Sequence, residues 1–204
     1  MANVSKYLQA QPVIGINPDP GRNPGVLVRH PPAAIGGLLA RLVQGRALVE
    51  ARMMVEARLD DGQRLRALNE VFIGHRSHQS ARYRLLWSGR EERQSSSGLI
   101  VTTGTGATGW ASSIKRERSS DLGLPSPTEE RLAFFVREAW PSPATGTELT
   151  EGSIQGGEVL EVISEMDEGG VAFGDGIEAD SLQLLWGQRV EVSVAESHMR
   201  LVVG

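Results

Sequence analysis

The chain has 204 residues, 40% of them hydrophobic and 23% charged, the ordinary balance of a soluble globular protein with room for one or two domains. A formal net charge of −4 excludes the one-signed basic surface that general attraction to nucleic acid or an anionic membrane requires. There is no cysteine, which excludes disulfides and thiolate metal sites, and neither a signal-peptide pattern nor a bilayer-length apolar run of ~18 residues is present; the expected location is cytoplasmic.

In chain order, MANVSKYLQA sets Val4, Tyr7 and Leu8 on one helical face, and Pro12 ends that helix. PVIGIN reads as a short apolar strand, followed by NPDPGRNPG, a run of turn formers. Ile35, Leu38, Leu39 and Leu42 form a stripe that predicts a helix over residues 33–43. From Ala47 the period becomes two: Met53, Val55, Ala57 and Leu59 are expected inside, and Arg52, Met54, Glu56 and Arg58 on a wet face. Asp61-Gly62 marks a hairpin whose return strand carries Leu65, Ala67 and Leu68 into NEVFIG.

ARYRLLW and a Ser88-Gly89 turn follow, and GLIVTT is apolar enough to be buried on both faces. After a glycine loop, ASSIKRERSS predicts a short helix with a polar end; LAFFVREAW, EVLEVISE, VAFG, RVEVSVAE and MRLVV predict further short strands. The expected fold is α+β: an α/β segment over residues 1–45, then a β-sandwich-like domain over residues 46–204.

GTGATG, within GLIVTTGTGATGW, satisfies G-x-G-x-x-G, yet strands flank it in hairpins and no acidic residue stands ~20 positions on at the end of a parallel strand, so it is not a Rossmann turn. Trp110 occupies the position where a P-loop has its lysine. Thr103, Thr105 and Thr108 nevertheless offer hydroxyls, and Gly104, Gly106 and Gly109 permit close backbone approach or positive φ ahead of a helix N-terminus. A phosphate or nucleotide loop and a plain helix-capping turn both fit that pattern. Elsewhere, His75 and His78 lack a third metal ligand; Lys115, Arg116 and Arg118 read as a solvated helix end, and Asp175-Gly176 as a hairpin turn. Asp19 and Arg22 sit in a turn.

A polar pair, Asn69 and Glu70, interrupts the apolar run RALNEVFIG upstream of the loop. ALNEVFIG followed by SSGLIVTTGTGATGW resembles the NAD kinase family, which carries an Asn-Glu or Asn-Asp pair and then a Thr-Gly-Ser-Thr-Ala-Tyr-like loop. PVIGINPDPGRNPGVL is similar as well, especially to the mitochondrial-type branch, and FGDG echoes a late Asp-Gly turn of the family. The resemblance implies that Asn69 and Glu70 hold the adenosine part of a dinucleotide, the amide reading base or ribose and the carboxylate accepting from ribose hydroxyls. It implies a dinucleotide contact along the loop through Thr103, Thr105, Gly106, Ala107 and Thr108, with Trp110 as a stacking surface. Ala107, Gly109 and Trp110 stand where the family loop has Ser, Ala and Tyr.

The activity implied is phosphoryl transfer from ATP to the adenosine ribose 2'-hydroxyl of NAD, giving NADP, with Mg2+ accompanying the triphosphate and no metal held by the protein itself. Homo-oligomers with sites completed by a neighbouring subunit are implied too. The family's Gly-Gly-Asp-Gly motif, whose aspartate is the expected base, is not among these residues, so the chain as given is expected to be inactive. The alternative is a non-catalytic dinucleotide-binding or self-associating module.

Overall fold

Strand residues that alternate between apolar and polar bury one face each, and two sheets of this kind close on a common core. The computed structural model describes residues 1–22 and 25–204; Asn23 and Pro24 of the expected turn lie outside the described residues. Its helices are α1 (Ala2–Ser5), α2 (Ile35–Val43) and α3 (Trp110–Arg118). The strands in the first half are β1 (Pro12–Ile14), β2 (Val49–Arg52), β3 (Val55–Leu59), β4 (Arg64–Ala67), β5 (Glu70–His75), β6 (Ala81–Trp87), β7 (Arg90–Ser96) and β8 (Leu99–Thr102). Those in the second half are β9 (Arg131–Val136), β10 (Glu151–Gln155), β11 (Leu160–Ser164), β12 (Gly170–Gly174), β13 (Leu182–Leu184), β14 (Arg189–Val194) and β15 (Met199–Val202).

Two six-stranded antiparallel sheets, ordered β10-β9-β8-β5-β12-β13 and β4-β3-β14-β11-β6-β7, form the sandwich. Val71, Ile73, Val101 and Phe134 of the first sheet meet Val55, Tyr83, Leu85 and Val192 of the second in one core. The first sheet has a covered outer face as well, where Ile100, Ala133 and Phe135 pack under Ala111 and Ile114 of α3. GLIVTT is therefore buried on both faces, as its composition predicts. The fold is α+β, a β-sandwich carrying a helical layer.

A third sheet, β1-β15-β2, joins β1 in parallel to β15 and β15 antiparallel to β2. It builds a second small core from Met54, Leu68, Met199 and Leu201, with Val13 and Leu27 against it.

The expected wet face of Arg52 and Met54 is corrected: both are buried. The chain leaves one sheet after Arg52 and enters another at Val55, so the inside changes side between them and a single alternation cannot run through. Arg52 donates to Glu50 at 2.6 Å from Nη2, which partly offsets the burial of its charge. REERQSS, not anticipated as a strand, is β7, paired to β6 across a turn in which Ser88 and Gly89 have φ of 50° and 73°. Its buried side chains are polar: Ser96 bonds the Tyr83 hydroxyl at 2.8 Å, and Gln94 donates to the Leu149 carbonyl at 2.8 Å.

Candidate functional site

The return strand and NEVFIG belong to opposite sheets. β4 ends at Ala67 in one, β5 starts at Glu70 in the other, and Leu68 and Asn69 are the crossing between them. Main-chain groups on such a crossing have no ladder partners and must be satisfied otherwise. The Leu68 and Asn69 N–H groups donate to the two oxygens of the Asp175 carboxylate, at 3.1 and 2.7 Å. The Leu68 carbonyl accepts from the Thr103 hydroxyl at 2.6 Å; the Asn69 carbonyl accepts from Thr103 N–H at 2.9 Å and the Thr102 hydroxyl at 3.2 Å. The sequence predicts Asp175 to be a plain turn residue. It is in a turn, with φ of 53°, but its side chain also brackets the crossing, which its short-range sequence could not show.

The glycine loop is bound to this crossing. The Thr103 hydroxyl accepts from Thr105 and Gly106 N–H at 3.1 and 3.2 Å, and the Thr103 carbonyl from Ala107 N–H at 2.8 Å. A Cβ on Gly106 would lie 2.2 Å from the Asn69 carbonyl oxygen, and one on Gly104 only 1.9 Å from the Ser126 carbonyl oxygen. Close approach, not positive φ, explains these two glycines; none of the three loop glycines has positive φ. The N–H groups of Thr105, Gly106, Ala107 and Gly109 are all used inside the loop. What remains for an anion is the first turn of α3, which no side chain caps.

The predicted residues therefore divide by chemistry. The Thr103 hydroxyl is committed to the crossing, and that of Thr108 to the Thr105 carbonyl at 3.1 Å. Thr105 is 3% exposed and its hydroxyl oxygen is buried with no hydrogen-bond partner among the described residues. Ala107 is buried and Thr108 exposed. Asn69 is half-buried, and its side-chain amide makes no hydrogen bond among the described residues. Glu70 is half-buried directly across from Thr102 on β8. Burial first, then the negative charge of Asp175, push its carboxyl up to about 7.

Glu70, Phe72 and Gly74 alternate onto the outer face of the sheet, away from Val71 and Ile73 of the core. The Phe72 ring lies over Gly74 and Gly98, where any Cβ would meet it at 2.5 and 2.7 Å. Trp110 stacks on Phe72 at 6.2 Å between centroids and 11° between planes, with the Arg137 guanidinium 5.1 Å from the indole. Beside them opens a cleft of about 490 Å³, lined by Phe72, Trp110, Arg137, Phe173 and Gln183 among others. In the sequence Phe72, Arg137 and Phe173 each read as an ordinary strand or strand-end residue.

The remaining candidates lie elsewhere. The Nδ1 atom of His75 is occupied by Ser77 N–H and hydroxyl, at 3.1 and 2.8 Å. Lys115 donates to the Leu122 carbonyl at 2.7 Å and Arg118 to the Val136 carbonyl, so both tie down the helix end. Arg22 and Asp19 form an exposed ion pair at 3.7 Å.

No family model matches the chain, and no curated protein matches it. Its fold is similar to the crystal structure of yeast NADH kinase complexed with NADH, with a TM-score of 0.66 at 17% sequence identity. That likeness covers 86% of this chain and 50% of the kinase chain, so the chain spans half the length of the structure it matches.

Proposed function

We propose that this chain is the dinucleotide-holding part of an NAD kinase-like phosphotransferase, which moves a phosphoryl group from ATP to the adenosine ribose 2'-hydroxyl of NAD or NADH. The observation that carries the reading is the junction of Asn69 with the Gly106 bend. The half-buried Asn69 amide, which makes no hydrogen bond among the described residues, and the buried, unpartnered Thr105 hydroxyl belong to segments joined by the bond from Thr103 N–H to the Asn69 carbonyl. A buried hydroxyl without a partner costs about 1–3 kcal/mol, and in this proposal dinucleotide binding shifts the loop enough to give the Thr105 hydroxyl a partner. The likeness to a kinase structure solved with NADH supports the same reading.

In this proposal the Asn69 amide pairs with the base or ribose of the adenosine, and Glu70 accepts from ribose hydroxyls. The first turn of α3 offers N–H groups to a phosphate, and Trp110 a face to a ring. In this proposal magnesium arrives on the triphosphate, where it neutralises phosphate charge. Positioning of the hydroxyl is the contribution assigned to this chain's own residues.

Calorimetric titration of residues 1–204 with NAD and NADH tests the reading. Saturable binding, weakened about tenfold in Asn69→Ala, is expected from loss of hydrogen bonds to the ligand. Absence of binding by both dinucleotides overturns it. A parallel assay with ATP and Mg2+ separates the phosphotransferase, which forms NADP, from a module that only binds.

A further inference from the structure

We infer that Asp175 is the positioning residue of this site: by taking the N–H groups of Leu68 and Asn69 on one carboxylate, it sets the direction in which Asn69 and Glu70 leave the crossing. The inference rests on the dinucleotide reading proposed above.

Three features bring Asp175 to that place. β12 pairs with β5 as far as Gly174 opposite Val71, and Gly174 has no side chain where a Cβ would lie 2.8 Å from that of Ala67. The sheet therefore closes tightly against the end of β4. Asp175 and Gly176 then turn with φ of 53° and 72°, and Asp175 N–H donates to the Glu70 carbonyl at 3.0 Å. Main chain and side chain of one residue thus hold both sides of the Asn69-Glu70 pair. A carboxylate receiving two N–H groups is a stronger bracket than two neutral acceptors.

The same carboxylate acts on Glu70 by its charge. Thr102, across from Glu70 on β8, is neutral, and Arg66 at the end of β4 is engaged by Glu56 at 2.6 Å. Asp175 is the charge that adds to burial in raising Glu70 to about 7. Ionised Glu70 accepts from ribose hydroxyls on both oxygens through charge-assisted bonds, whereas protonation turns one oxygen into a donor and weakens the other, so affinity for the dinucleotide should rise as pH passes through about 7.

Asp175→Asn keeps the size, loses the charge and leaves one acceptor for two donors. NAD and NADH binding is followed by calorimetry from about pH 5 to about pH 9, and the Glu70 carboxyl by carbon-13 NMR without ligand, assigned with Glu70→Gln. Asp175→Asn is expected to bind about tenfold more weakly at high pH, and to bring the Glu70 midpoint down from about 7 towards the ordinary carboxylate range. Asp175→Ala removes both acceptors and is expected to lose about a hundredfold; should it fail to fold, the Asn variant still decides. A purely structural role would lower affinity equally at every pH and leave the midpoint in place, which overturns the inference. If wild-type protein binds neither dinucleotide, the functional reading falls and this inference with it. If it binds and Asp175→Asn binds equally well with the same midpoint, only this inference falls.

Discussion

The two faces of the β10-β9-β8-β5-β12-β13 sheet are made by alternate residues of the same strands, yet they differ in kind. On the inner face Val71, Ile73, Val101 and Phe134 are fully buried against hydrocarbon. On the outer face Glu70 and Thr102 stand at one end, with Phe72 and Trp110 beyond them. A shift of one residue in register would exchange the two sets, so the pairing that builds the core also aims the site. Stability and the proposed recognition are separated by no more than the pleat of a strand.

The separation can be broken from either side. The largest expected effect is on the inner face: Phe134→Ala, which removes a fully buried ring lying edge-on to Trp87 at 5.3 Å, should cost about 3–5 kcal/mol in chemical denaturation. The folded fraction should keep its affinity for NAD within about twofold. A large fall in affinity there would mean that the faces are not independent.

Gly106→Ala acts where the faces communicate with the crossing. Its Cβ would lie 2.2 Å from the Asn69 carbonyl, so the loop has to lift. We expect a stability loss of about 1–3 kcal/mol together with loss of measurable NAD binding. Retained affinity would show that loop and crossing need not touch to form a site. The smallest effect is the sharpest test. Thr105→Val replaces a buried hydroxyl that has no partner, so the free protein should be unchanged or up to ~1 kcal/mol more stable. NAD affinity should fall about fivefold, a change in the opposite direction from stability.

Which parts could be read from the sequence follows from the same physics. Central strands such as β8, β9 and β11 carry apolar side chains on both or alternating faces, and their runs were recognisable. β7, β10 and β13 carry no such run, and all three are sheet edges. An edge strand needs pairing on one side only and tolerates charge and glycine, so REERQSS, EGSIQ and LQL carry little periodic signal. Asn69 and the loop were visible because polar residues and glycines interrupt apolar runs. The bracket by Asp175 was not, since nothing local in FGDG says which distant N–H groups its carboxylate will meet.

The parallel pairing of β1 with β15 sets an order of events. β1 and β2 both pair with β15, from which they are separated by most of the sandwich along the sequence. Closing so long a loop carries an entropic penalty that nearby contacts do not, so the small sheet should assemble late, on a sandwich already formed. Until then the edge of β1 that meets β15 is unpaired, a template for other strands that the finished sheet removes.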